Sequence, residues 1–133
     1  MKSAYFGISL SKRPEFNQEI EILRQCLREK SVELKVFVDM YSFAPNQEKQ
    51  MMDKAFAEIE ACEFMVVELS HKAIGVGVEV GYARARNIPV VYLRRKGAPY
   101  STTVGGCSDF EIEYENLEEL DRKMRLFMEE KIV

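Results

Sequence analysis

Glu79 is the residue whose setting most invites chemistry. It lies within Gly75-Val76-Gly77-Val78-Glu79-Val80-Gly81-Tyr82-Ala83, a stretch that leaves a loop behind a continuous apolar run and enters a helical pattern. Its glycines, GxGxxxG, are spaced one residue wider than the dinucleotide fingerprint GxGxxG, and no GK[ST] follows to make a Walker loop. The spacing instead predicts a carboxylate in the first turn of a helix beginning at Val78. Gly75 and Gly77 ahead of it would let a ligand or a neighbouring backbone approach closely. The positive end of the helix dipole would keep Glu79 ionised. An ionised, positioned carboxylate can attack an anomeric carbon or stabilise an oxocarbenium-like transition state. The competing reading is that Glu79 only complements the dipole, with the glycines shaping a tight turn.

Other chemistries have less to work with. His71 is the only histidine, which leaves no His-based metal site and gives a Ser-His-Asp triad little support. Cys26, Cys62 and Cys107 are far apart and lack CxxC spacing, so they read as reduced thiols of a cytoplasmic protein. No metal or organic cofactor is implied.

The elements that must position Glu79 follow from periodicity. Strand patterns cover Ala4 to Ile8, Val32 to Val38, Phe64 to Val67, Ile88 to Leu93 and Phe110 to Tyr114. Helical spacing appears in Ile20, Leu23 and Leu27, in Met52, Phe56 and Ile59 behind a cap at Asn46, and in Leu117, Leu120, Met124 and Phe127. Strands and helices alternate, which predicts an α/β fold: a doubly wound, flavodoxin-like, five-stranded parallel sheet with helices on both faces. Ligands of such sheets bind beyond the carboxyl ends of the strands. The loops Ser9 to Arg13, Ser70 to Gly77 and Arg94 to Gly106 meet there.

At 133 residues the chain fits one domain, 1–133. A net charge of -3 argues against holding a nucleic acid polymer, so a small ligand is the better partner. No apolar run approaches the roughly 20 residues that cross a bilayer, so no membrane role and no signal segment is expected.

The run Glu68-Leu69-Ser70-His71-Lys72-Ala73-Ile74-Gly75-Val76-Gly77-Val78-Glu79-Val80-Gly81 resembles the signature of nucleoside 2-deoxyribosyltransferases and the related 2'-deoxynucleoside 5'-phosphate N-hydrolases. The likeness continues through Tyr82-Ala83 and the Ile88 to Leu93 strand, with fainter echoes at the first strand. It implies a nucleoside or nucleotide substrate and makes Glu79 the nucleophile. By the same resemblance, Tyr5 is the first-strand aromatic that lines the nucleoside pocket, and Ser9 is the loop serine that helps hold a 5'-phosphate. Ser101 in Ser101-Thr102-Thr103-Val104-Gly105-Gly106 is the serine that reaches the phosphate in a neighbouring subunit, which implies a homodimer with shared sites.

Departures from the pattern stand beside these matches. Ala55 occupies the place of a helix aspartate that assists the leaving base, so Glu58, one turn on, or Asp53, two residues back, would have to substitute. Ser11 replaces a loop arginine and Ala73 a serine before the nucleophile, leaving Lys12 and Arg13 to supply positive charge. The leading expectation is N-glycosidic cleavage or transfer through Glu79. The alternatives are a nucleotide-binding or sensing module without efficient chemistry, a hydrolase of a larger nucleotide such as NAD, and a structural interaction protein.

Overall fold

Short β-rich apolar runs separated by helical periodicities favour a sheet buried on both faces with crossover helices packed over it. In the computed structural model, which describes residues 1–131, the strands are β1 (Lys2–Gly7), β2 (Val32–Val36), β3 (Phe64–Glu68), β4 (Val90–Arg95) and β5 (Phe110–Tyr114). They are joined and covered by α1 (Asn17–Arg28), α2 (Phe37–Met40), α3 (Glu48–Glu60), α4 (Ile74–Ala85), α5 (Thr102–Cys107) and α6 (Leu117–Lys131), with a 3₁₀ turn at Arg13–Phe16. All strand pairs are parallel and the order is β2-β1-β3-β4-β5. The doubly wound, flavodoxin-like α/β fold read from the sequence is therefore the fold adopted.

Strand alternation sorts the side chains into two cores. On one face Ala4, Phe6 and Val66 pack with Leu23 and Leu27 of α1 and Leu120 and Met124 of α6. On the other, Tyr5, Met65 and Val67 pack with Ala55 and Ile59 of α3 and Val76 and Val80 of α4. Every residue of β3 is buried, as its unbroken apolar run requires of a central strand. Full burial of each large apolar side chain is worth about 1.5–3 kcal/mol, and β3 and β4 bury the longest such runs, Phe64 to Val67 and Val90 to Leu93.

Several boundaries differ from expectation: β1 runs Lys2–Gly7 rather than from Ala4 to Ile8, and β4 Val90–Arg95 rather than from Ile88 to Leu93. Helix α4 starts at Ile74, within the segment expected to be loop. Val76, Val80 and Ala83 recur at helical spacing and are buried, and that burial outweighs the roughly 1 kcal/mol cost of each helical glycine. Its far end is set by Asn87, in the left-handed region at φ 60°. Helix α3 is entered from Gln47 rather than capped by Asn46, and the Gln47 side chain accepts a bond from the Ala44 N–H at 2.8 Å. The chain leaves β2 at Val36 and coils at once into α2, and the Gly97 to Ser108 loop contains the short α5.

Candidate active site

Because α4 begins at Ile74, Glu79 is its sixth residue and lies in the second turn, beyond the reach of the dipole effect expected for a first-turn carboxylate. It is held from the sheet instead. The Tyr5 hydroxyl donates to Glu79 Oε2 at 2.7 Å, and Tyr5 itself is 0% exposed. Burial, and secondly the neighbouring Glu79 charge, push the Tyr5 hydroxyl far up, so it remains a donor. Gly7, at the carboxyl end of β1, makes room beneath the carboxylate. A Cβ there would lie 3.2 Å from both Met65 Cε and Val67 Cγ1 and 3.5 Å from Glu79 Oε1. Among the described residues, Oε1 accepts no hydrogen bond.

The expectation of a permanently ionised Glu79 needs correction. Burial pushes its carboxyl up to about 7, and the Tyr5 hydrogen bond pulls back only part of that rise. The group therefore titrates near neutrality.

A cleft of about 520 Å³ opens over Glu79 at the carboxyl edge of the sheet, within the size range of small-molecule sites. Ile8, Ser9 and Leu10 form one wall, Phe37 and Val38 of α2 with Met51 and Met52 of α3 another. The turn from Lys72 into α4, including Gly75, closes it. A Cβ on Gly75 or Gly77 would meet nothing within 4 Å, so neither glycine is demanded by the protein's own packing.

The other expected residues divide. Ser9 lines the cleft, with its hydroxyl 3.0 Å from that of Ser11. Lys12 pairs with Glu15 at 3.5 Å and does not line the cleft. Arg13 is engaged by both oxygens of Asp39 and by Asn17. Tyr5 is buried behind Phe37, their ring centroids 5.8 Å apart, so it supports the carboxylate and offers no exposed ring face to a base. Ser101 caps α5 by accepting from the Val104 N–H at 3.2 Å, away from this copy's cleft.

The two candidate acids on α3 fare differently. Asp53 is exposed, whereas Glu58 turns toward the sheet, its side chain 16% exposed and 3.9 Å from Lys35 Nζ. That separation is an ion-pair contact too long for a hydrogen bond, and Glu58 Oε2 is buried with no hydrogen-bond partner. Its charge contributes to the rise at Tyr5. Neither acid lines the cleft.

Sequence reasoning missed Gly7, Lys35, Phe37 and Lys72. The aromatic spacing of Phe37, Tyr41 and Phe43 directly after β2, at the carboxyl edge, was the available signal for Phe37.

Residues 4–124 match the family model described as nucleoside 2-deoxyribosyltransferase. The chain belongs to that family. A candidate 2'-deoxynucleoside 5'-phosphate N-hydrolase 1 of Syntrophotalea carbinolica is 43% identical over 65 residues, which is 47% of this chain and 46% of that protein. The chain thus spans about half the length of that curated relative. The Clostridium botulinum CMP N-glycosidase structure shares the deoxyribosyltransferase-like fold at a TM-score of 0.71 and 22% identity, covering 95% of this chain and 99% of the other. A 2-deoxyribosyltransferase of Bacillus psychrosaccharolyticus aligns at a TM-score of 0.67 and 10% identity, over 90% of each chain.

Proposed function

We propose that this deoxyribosyltransferase-family chain cleaves the N-glycosidic bond of a nucleoside or nucleoside 5'-monophosphate, with Glu79 as nucleophile. The observation that carries the reading is the half-buried Glu79 carboxylate, held through Oε2 by Tyr5 while Oε1 accepts no hydrogen bond among the described residues, beside an open cleft. In the ionised form Oε1 attacks C1' as the bond from C1' to the base nitrogen breaks, and the electron pair leaves with the base. Water or a second base then attacks C1' from the opposite face, its proton is released, and Glu79 regains its carboxylate. Two inversions give net retention.

With both α3 acids off the cleft wall, the departing base takes its proton from water in the open cleft. Glu58, next to Lys35 and off the cleft wall, and the exposed Asp53 are assigned no part in the chemistry. Ser9 and Ser11 supply hydroxyls to a 5'-phosphate, and the first turn of α4 supplies backbone N–H groups. The Ser101 hydroxyl, although it accepts from Val104, keeps its own proton to donate to the phosphate in a second copy, which favours a homodimer. The free thiols of Cys26, Cys62 and Cys107 suit a reducing cytoplasm.

The test is base release from a panel of ribo- and deoxyribonucleosides, their 5'-monophosphates and NAD. Glu79→Ala is expected to lose roughly a thousandfold or more of the rate with its fold retained. Unchanged turnover in that variant would sink the assignment. A binding-only module is favoured by one observation, the buried Ala55 in place of an acid, and tight nucleotide binding without any release would establish it.

A further inference from the structure

Beside the Glu79 cleft runs a second groove of about 510 Å³, between the β3–α4 and β4–α5 connections. His71 and Lys72 form one side, Arg95 and Lys96 the other, with Ala98 and Pro99 at its end. Among the described residues no carboxylate lines it, although the chain as a whole carries a net charge of -3. The acids that partner the basic residues do not line the groove. Arg95 is bound to Glu19 at 2.7 Å and lies over the Phe16 ring at 3.9 Å, Lys96 faces Glu115 at 3.5 Å, and His71 faces Glu15 at 3.7 Å. The two sides are tied together because the Arg95 N–H donates to Ser70 Oγ at 2.9 Å.

Lys72 lines both cavities, is the one cation on the wall of the Glu79 cleft, and forms no ion pair among the described residues. Lys12 and Arg13 do not line the cleft and are already paired with Glu15 and Asp39. Lys72 is therefore the one cation lining either cavity without an acidic partner among the described residues, and Arg95 and Lys96 add to the second groove a charge that they share with Glu19 and Glu115. A nucleoside monophosphate would leave that groove empty, since the first cleft alone is within the size range of a small-molecule site.

We propose that the second groove is an anion subsite that takes the distal phosphate of a nucleoside 5'-diphosphate or another pyrophosphate-linked nucleotide, with Lys72 at the junction. The placement of the sugar rests on the reading of Glu79 given above, but the subsite itself does not. Inorganic pyrophosphate is accordingly the deciding probe, because it carries no base or sugar.

The experiment is titration calorimetry of the full chain with pyrophosphate at fixed ionic strength, in wild type, Lys96→Glu and Lys30→Glu. Lys30 is exposed just ahead of β2, at the opposite edge of the sheet, and its reversal changes the net charge equally. Lys96 makes only an exposed ion pair, so its reversal should leave the fold intact, which a melting curve checks. The expected result is pyrophosphate binding weakened about tenfold or more by Lys96→Glu and less than twofold by Lys30→Glu. Absence of binding at about 10 mM pyrophosphate, or equal weakening by both substitutions, overturns the proposal. Base release from the monophosphate panel, run on the same samples, reports on Glu79 separately and leaves the pyrophosphate result standing whichever way it falls.

Discussion

At the scale of single residues, the proposed role of Glu79 ties the working pH of the site to its pairing with Tyr5. A nucleophilic carboxylate must be ionised, and burial holds this one near 7, so kcat/KM should climb as pH rises through about 7 and level off above it. The Tyr5 hydrogen bond favours the ionised form, so its loss moves the carboxyl further up. Tyr5→Phe should therefore displace the rising limb to higher pH by about one unit, the scale of a hydrogen bond to a charged group. A pH–rate profile of the two proteins checks both statements, and an unmoved limb would remove Tyr5 from the mechanism. Glu79 was legible in the sequence through the glycines around it, but its protonation was not. That depends on where α4 starts and on a tyrosine 74 positions away, neither of which local spacing contains.

At the scale of elements, the first turn of α4 is built for something other than internal packing. Gly75 is helical, lines the cleft and has open space where a Cβ would stand. Gly75→Ala should raise stability by roughly 0.5–1 kcal/mol through helix propensity and chain entropy. The same methyl group should raise KM by obstructing the approach of substrate to the backbone. Chemical denaturation and steady-state kinetics read the two effects, and an unchanged KM would mean that no ligand comes close there. The five strands and the helices α1, α3 and α6 were readable because their apolar residues run on or recur over more than one period. The helices α2 and α5 were not, at four and six residues, too short to show a period. The start of α4 was hidden because glycine reads as loop until its neighbours are seen to be buried.

At the scale of the whole molecule, the cleft residues gather along the carboxyl edge of the sheet, and Ser101 sits outside the cleft of its own copy. If Ser101 serves a neighbour, Glu79→Ala and Ser101→Ala proteins should complement each other. A mixed dimer would hold one intact site, so a random mixture should regain about a quarter of wild-type activity. Activity of the mixture no greater than that of its components would refute the shared site. The sequence could suggest this only by resemblance, since no pattern within one chain records where a second copy sits. The second groove was illegible for a related reason: Lys72 and Lys96 are far apart in the chain and become neighbours only when β3 and β4 pair.

The bond from Tyr5 to Glu79 also bears on the order in which the protein is made. It spans 74 residues and depends on β1 finding β3, which in turn requires the whole of the β2 and α3 excursion to have been synthesised and folded back. Such long-range pairing closes slowly, after the local helices have formed. Until it closes, Glu79 is an ordinary solvated acid with no donor at Oε2 and no floor at Gly7. A nascent or half-folded chain therefore carries the motif without the Tyr5 contact on which the proposed nucleophile depends.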